Sequence, residues 1–286
     1  MSGEPIRAIV TGSQGFIGRA LTARLRCDRW DVTEWSVDVR TIARLAAHAD
    51  VVFHLAAATR AEQFASAPHM AYEVNVAGTL AVLQYCQSVG ARCIMASTSG
   101  VYGAAPAGRP LSEEAPIHPL TPYSISKWLA ECLCRQQAEA FGVSSVILRL
   151  FNVYGAGQQG SFLIPHLIGG LLRRERLRLR MPDAVRDFVY IDDVVEAFVN
   201  AARLAESKGS VFNIGSGRPT RIRDVIQLAE TVIGPSCGMD TTGPDAGEPS
   251  VVVADITKAQ SQLRWMPAYD LFSGLCAMRS HLEAMV

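Results

Sequence analysis

Through the first half of the chain, short apolar runs alternate with stretches whose apolar residues recur at helical spacing. Residues 6–11, 31–35, 51–55, 93–97 and 146–151 read as strands, and 15–27, 41–48, 74–89 and 123–141 as helices. Strands alternating with helices build a doubly wound parallel sheet, because each crossover helix returns the chain to begin the next strand in the same direction. After Phe151 the rhythm loosens. Residues 162–173, 192–205 and 222–233 are predicted helices, 211–214 a strand, and 234–249 a Gly/Pro-rich stretch. The expected fold class is α/β: a doubly wound parallel sheet with a smaller C-terminal region laid over it.

The first strand runs into Thr11-Gly12-Ser13-Gln14-Gly15-Phe16-Ile17-Gly18, which opens the first helix. Gly12 permits a tight turn, Gly15 lets the backbone approach a pyrophosphate, and Gly18 lets the helix pack closely. The helix N-terminus then offers free N–H groups and a positive dipole end to the phosphates. Placement between a first strand and a first helix is the context that gives this glycine pattern its meaning, so the fold is of Rossmann type and the chain is expected to bind a dinucleotide. An acid at the end of the second strand usually holds the adenosine ribose. Here Ser36 stands at that point, Asp38 follows two residues later before Val39, and Glu34 falls within the strand. Without an acid at Ser36 a 2′-phosphate is not repelled, yet the nearest arginine is Arg40. NAD and NADP both stay open.

Tyr123-Ser124-Ile125-Ser126-Lys127 begins the long helix after Pro122, and positions i and i+4 share a helical face. A phenol with a pKa near about 10 is a poor base at neutral pH, but a nearby ammonium favours the phenolate. The pair is a plausible proton-transfer unit. The strand 93–97 leads into Ser97-Thr98-Ser99-Gly100, placing three hydroxyls at the carboxyl end of a parallel strand, where open α/β sheets bind ligands. Thr98 is the expected partner of Tyr123 on a substrate hydroxyl or carbonyl.

Composition narrows the class. The 286 residues carry 27 basic and 27 acidic side chains, a balance that argues against a nucleic-acid binder. With 49% hydrophobic and 19% charged residues the chain can bury a large core, in one large domain or two unequal ones. No apolar run approaches the roughly 20 residues that span a bilayer, so no membrane partner is expected. Seven cysteines without zinc spacing suggest no metal and reduced, buried thiols in a cytoplasmic protein. Lys127 is one of only three lysines, whereas arginine is common; Arg173, Arg174, Arg176, Arg178 and Arg180 form a tract. That tract reads as a helix end followed by a strand with Leu177 and Leu179 inward, or as an anion-binding rim.

Taken together, Thr11-Gly12-x-x-Gly15-x-x-Gly18, His54-Leu55-Ala56-Ala57, Asn75-Val76-x-Gly78-Thr79, Thr98…Val101-Tyr102-Gly103 and Tyr123-x-x-x-Lys127 resemble the extended short-chain dehydrogenase/reductases of the NAD-dependent epimerase/dehydratase family. Downstream, Phe151-Asn152-Val153-Tyr154-Gly155, Arg186-Asp187-Phe188, Asp192-Asp193-Val194, Asn213-Ile214-Gly215-Ser216-Gly217 and Gly247-Glu248-Pro249 continue the likeness over nearly the whole chain. The resemblance implies a nucleotide-diphosphate sugar as substrate and a nicotinamide cofactor. By position it makes Thr98, Tyr123 and Lys127 catalytic. It gives Gly12, Gly15, Phe16, Ile17, Gly18, Ser36, Asp38, Val39, Leu55, Ala56, Ala57, Asn75, Tyr123 and Lys127 to the cofactor, and Thr98, Ser99, Asn152, Arg186 and Glu248 to the substrate. Residues 1–151, rejoined by 188–214, would form the dinucleotide-binding domain, with 152–187 and 215–286 binding substrate. A homodimer through the helices 74–89 and 123–141 is also implied, to which Trp128, Leu129, Cys132 and Leu133 would lend apolar surface.

Family members that dehydrate sugars carry an Asp-Glu pair after the threonine, and related decarboxylases a glutamate at the second position. Here Ser99 and Gly100 supply neither acid nor base. C4 epimerisation is the expected activity, with 4-keto-sugar reduction as the alternative and a non-catalytic regulator a distant third. The epimerase arginine expected three residues before Glu248 is replaced by Asp245, leaving Arg186 to meet the diphosphate, alone or with Arg218, Arg221 or a member of the Arg173–Arg180 tract.

Overall fold

A computed structural model describes residues 4–45, 47–103, 109–158, 162–205, 208–243 and 250–283. Five strands of the central sheet come from the first half of the chain: β1 (Arg7–Thr11), β2 (Asp31–Trp35), β3 (Val51–His54), β4 (Arg92–Thr98) and β5 (Ser145–Leu150). The sixth, Lys208–Ile214, returns much later and pairs with β5. The order across the sheet is (Lys208–Ile214)-β5-β4-β3-β1-β2, and every pairing is parallel. The chain goes from β1 outward to β2 and then crosses back to β3. The carboxyl ends of β1 and β3 therefore flank a topological switch point, the crevice where such sheets bind ligands.

The strands lack polar alternation because both faces are covered. On one face Ala8, Val10, Phe53, Ile94, Val146 and Leu148 pack with Leu21 and Leu25 of α1 (Phe16–Cys27) and Val194 and Phe198 further on. On the other, Ile9, Val52, Cys93, Met95 and Ile147 meet Val82, Leu83, Ala130 and Cys134. Successive strand residues thus feed two separate cores, as period-two side chains must.

The helices expected from spacing form, with local changes. α2 (Ala61–Ser66) and α3 (Pro68–Tyr72) were not foreseen. The stretch 41–48 is instead a 3-10 helix, Val39–Arg44, and the helix over 74–89 begins as a π turn, Glu73–Ala77, before α4 (Gly78–Val89). α5 (Pro122–Phe141) starts sharply: Thr121 Oγ1 accepts from Ser124 N at 3.1 Å, Ser124 Oγ accepts from Thr121 N at 3.0 Å, and Pro122 fills the first turn. Gly142, at φ 71°, ends it.

Beyond β5, α6 (Leu163–Leu172), α7 (Ile191–Ala202) and α8 (Ile222–Ile233) form, with a three-stranded sheet of Thr220–Arg221, Val185–Arg186 and Val251–Val252. Leu177 and Leu179 point inward from Leu177–Arg180, as the pattern predicts. All seven cysteines are free, but the expectation of uniformly buried thiols fails: Cys86, Cys93 and Cys134 are buried, whereas Cys27 and Cys237 are exposed. Among the described residues no helix is long and apolar enough to cross a membrane.

Candidate active site

The glycine loop is shaped as its sequence requires. Gly12 has φ 70°, and a Cβ there would lie 2.7 Å from Ala56 N. A Cβ on Gly18 would fall 2.2 Å from Gly12 O and 2.8 Å from Ser13 Cα, so Gly18 lets the helix close against the loop itself rather than against the sheet. Gly15 caps α1 without a side-chain bond, and no acid occupies the first turn. The loop therefore offers an anion backbone N–H groups and a positive helix end, which fits the pyrophosphate of a dinucleotide. Phe16 and Ile17 begin α1 half-buried, packed on the core.

A buried histidine joins this loop to its neighbours. Thr79 Oγ1 donates to Asn75 O at 2.7 Å, so it accepts from His54 Nε2–H at 2.9 Å. His54 Nδ1 then accepts from Thr11 Oγ1 at 2.9 Å, and Thr11 Oγ1 accepts from Leu55 N and Ala56 N, each at 3.2 Å. This assigns the Nε2–H tautomer from the bonding partners. Burial, and secondarily the Lys127 charge, lowers the His54 pKa to about 3, so the ring is neutral. The network sets Leu55, Ala56 and Ala57 beside the glycines.

At the far end of the crevice Ser36 is exposed. Asp38 caps the 3-10 helix by accepting from Arg40 N at 3.0 Å, and also holds the Arg40 guanidinium, whose other arm meets Glu73. Those bonds hold the Asp38 carboxyl below its usual range. Val39 is buried against Gly78, where a Cβ would lie 2.5 Å from its Cγ1. Glu34 sits within β2 and accepts from Gln14 of the glycine loop at 3.2 Å and Arg26 at 2.7 Å.

Thr98 ends β4 and caps the next turn, its Oγ1 accepting from Gly100 N at 3.1 Å. A Cβ on Gly100 would lie 3.4 Å from Thr98 Oγ1 and 3.3 Å from Ser124 Cβ, so the strand end adjoins the first turn of α5, where Tyr123 stands. The Tyr123 ring packs edge-on against Phe64 of α2, with centroids 6.3 Å apart. Burial raises the Tyr123 pKa to about 12. Burial likewise lowers Lys127 to about 8, opposed by Cys134, Glu131 and Cys93. Within the protein's own field the phenol therefore shifts upward rather than down, and burial is the cause. Asn75 is buried, and its side chain bonds within the protein. Its Oδ1 accepts from Ala58 N at 2.7 Å, and its Nδ2 donates to Ala58 O at 2.9 Å and Ser126 Oγ at 2.8 Å. It braces α5 between Tyr123 and Lys127.

Ser99, Gly100, Gly103, Ser124, Asn152 and Arg186 come together around a cavity of about 170 Å³. Asn152 N and Nδ2 both donate to Asp187 O, at 3.0 and 2.9 Å. Asp187 is buried, and its carboxylate accepts from Ser216 N and Oγ, Gly217 N and Ala254 N. Arg186 lies in the middle strand of the three-stranded sheet, facing Thr220 and Val252 in register. Glu248 and Asp245 lie outside the described residues. In the arginine tract Arg173 pairs with Glu175 and Arg176 with Asp240, while Arg178 and Arg180 line a second cavity of about 560 Å³ with His166.

The sequence reading missed the polar layer beneath the site. Ser97, Glu131, Arg149, Tyr102 and Asn213 are all buried and bonded to one another. The signal was present: Arg149 interrupts the apolar run 146–151, and a charge in a buried strand demands a partner.

A Rossmann-type sheet with a glycine cradle, a tyrosine–lysine helix and a strand-end threonine defines an extended short-chain dehydrogenase/reductase. The chain belongs to the NAD dependent epimerase/dehydratase family, whose model matches residues 8–215. It is 32% identical to a UDP-glucose 4-epimerase of Azospirillum brasilense over 79% of this chain and 70% of that one. It is also 32% identical to a GDP-6-deoxy-D-mannose reductase of Pseudomonas aeruginosa, over 78% of each. Among solved structures, the UDP-glucose 4-epimerase of Thermotoga maritima with UDP-glucose superposes with a TM-score of 0.92 at 27% identity, covering 98% of this chain and 99% of that one.

Proposed function

We propose that the protein is a nucleotide-sugar 4-epimerase that works through transient oxidation at C4, with NAD as its cofactor. The observation that carries this reading is that the end of β4, with Thr98, adjoins the first turn of α5, with Tyr123 on it and Lys127 one turn further, beside a cavity whose lining Ser99 and Gly100 have no acid or base for elimination. When bound, the nicotinamide supplies the hydride acceptor and donor. Tyr123 takes the proton from the C4 hydroxyl and later returns it. Thr98 fixes the C4 oxygen by a hydrogen bond, and Lys127 stabilises the phenolate against the burial that opposes it. An oxidised nicotinamide held by the glycine cradle would carry a positive charge that favours that anion further.

Gly12, Gly15, Phe16, Ile17, Gly18, Leu55, Ala56 and Ala57 serve the cofactor, Asn75 positions α5, and Asn152 and Arg186 meet the substrate nucleotide and diphosphate. Residues 1–151 with 188–214 form the cofactor half, and 152–187 with 215–286 the substrate half. A homodimer through α4 and α5 is supported by exposed Ile125, Leu129 and Phe141 on α5. Seven free thiols suit the cytoplasm.

The second reading, an NADPH-dependent 4-keto-sugar reductase, is favoured by Ser36 in place of the ribose-binding acid and by the reductase among the relatives. One experiment separates them. The nucleotide that copurifies with the protein is identified, and UDP-, GDP- and dTDP-sugars are supplied with and without NADPH. Turnover of a 4-hydroxy sugar on tightly held NAD supports the epimerase. Consumption of NADPH by a 4-keto sugar replaces it with the reductase.

A further inference from the structure

We propose that Glu131 is a positioning residue for proton transfer: it clasps the two strands beneath Thr98 and ties them to the helix that carries Tyr123 and Lys127. The inference rests on the reading of Thr98, Tyr123 and Lys127 given above. Tyr123, Lys127 and Glu131 follow one another at intervals of four along α5 and so share a helix face. Glu131 is fully buried, and its carboxylate reaches both strands at once. Oε1 accepts from Ser97 Oγ of β4 at 2.6 Å and from Arg149 Nε of β5 at 3.0 Å. Oε2 accepts from Arg149 Nη2 at 2.7 Å and from Arg135 Nη2 at 3.0 Å.

The register gives this contact its reach. Ser97 pairs with Arg149 across β4 and β5, and Arg149 pairs with Asn213 across β5 and the strand Lys208–Ile214. Arg149 Nη1 donates to Tyr102 Oη at 2.8 Å, and Tyr102 Oη donates to Asn213 Oδ1 at 2.6 Å. One row of polar side chains therefore crosses three strands. Each stands one residue before its strand's last residue, and in β4 that last residue is Thr98. Glu131 ties this row to the helix that carries Tyr123 and Lys127. A bidentate carboxylate–guanidinium contact fixes direction as well as distance.

Charge supplies the second half of the role. The titratable groups around Lys127 are Tyr123, Glu131 and Cys134 on α5, Cys93 on β4 with Cys86 of α4 behind it, His54 on β3, and Arg149 bonded to Glu131. The hydrogen bond with Cys86, and then burial, raises Cys93 well above the ordinary thiol range; burial raises Cys134 likewise and keeps His54 neutral. The fields of Cys134, Glu131 and Cys93 oppose the desolvation that pulls a proton off Lys127, and Glu131, paired with Arg149, is the member of that set that also bonds both strands. Loss of the ammonium would remove the stabilisation that Tyr123 needs.

Three variants test the proposal, each read by kcat, KM, melting temperature and the pH profile of kcat. Ser97→Ala cuts only the link to Thr98, since Arg149 and Arg135 stay on Glu131. It should lower kcat about tenfold with KM nearly unchanged, the size of a small loss of alignment. Glu131→Gln should move the alkaline limb of the profile to lower pH. Because that variant strands the buried Arg149 charge and can fail to fold, the double variant Glu131→Leu with Arg149→Met replaces the pair by apolar side chains of similar size. It should fold, lose activity at least as far as Ser97→Ala, and shift the alkaline limb less than Glu131→Gln. A purely structural pair predicts lowered melting temperatures with wild-type kcat and an unmoved limb; that result in Ser97→Ala and the double variant overturns the proposal. Tyr123→Phe measured alongside separates the two levels. If it is active, the reading of the site fails; if it is inactive while the Glu131 variants behave as wild type, only this inference fails.

Discussion

Acid should weaken the fold through one residue. His54 is fully enclosed, and its ring is lowered from the ordinary 6.5 to about 3 by burial and then by Lys127. Between those two values the unfolded chain binds a proton at this position that the folded chain refuses. Stability is therefore complete above about pH 6.5 and falls as the pH drops through the window, by about 1.4 kcal/mol per unit. At about pH 5 the deficit is about 2 kcal/mol, a sizeable part of the roughly 5–15 kcal/mol that holds a domain folded. Protonation also turns Nδ1 into a donor facing Thr11 Oγ1, which already accepts from Leu55 N and Ala56 N and must then give up its own bond to the ring. His54→Gln retains a donor for Thr79 and carries no charge at any pH. Urea unfolding, followed by tryptophan fluorescence near neutrality and at about pH 5, should show the wild type losing about 2 kcal/mol more than the variant between the two conditions. The neutral-pH stability of the variant is itself lower, so the comparison is of slopes. Equal acid losses in the two proteins would refute the assignment of a neutral, buried ring.

Three further outcomes follow from the site. Tyr123→Phe should lower kcat by about 10²–10⁴ while calorimetry shows cofactor binding retained; a rate above half of wild type would remove Tyr123 from its role. Arg186→Lys should weaken nucleotide-sugar binding by about 1–3 kcal/mol without altering cofactor affinity, because an ammonium does not reproduce the bidentate contact; titration calorimetry with both ligands reads this directly. Asp187→Asn converts one of two acceptor oxygens, each holding two donors, into a donor, and should destabilise the fold by about 2–5 kcal/mol in thermal or urea melts, with substrate affinity falling through Asn152 and Arg186.

The features that declared themselves in the sequence are those with a local chemical code. The glycine loop is legible because only residues without a Cβ tolerate the positive φ of Gly12 and the contact at Gly18. The tyrosine–lysine pair is legible because both members lie on one helical turn. What was hidden depends on distant parts of the chain. Arg149 and Glu131 are separated by 18 positions, and Arg149 and Asn213 meet only because a strand returns to the sheet from the second half. The sign of the Tyr123 shift was hidden for the same reason: its burial comes in part from Phe64 on α2, a helix too short to show periodicity. Asn75 was recognised as a site residue, but its inward bonding follows from the π turn, which no spacing rule announces. The short helix at 68–72 did leave a mark, a proline at its first turn.

The late arrival of Lys208–Ile214 bears on how the chain reaches its folded state. Until that strand is synthesised, β5 is the margin of a five-stranded sheet, with one row of N–H and C=O groups open to any passing strand. Arg149 would wait there as well, without Asn213 to complete its row. A fragment ending near Leu150 would thus carry the whole glycine cradle and the tyrosine–lysine helix and still be prone to edge-to-edge association rather than behave as a free-standing nucleotide-binding module. The same region is exposed on the ribosome during translation, so chaperone dependence should concentrate in the interval between β5 and its final neighbour.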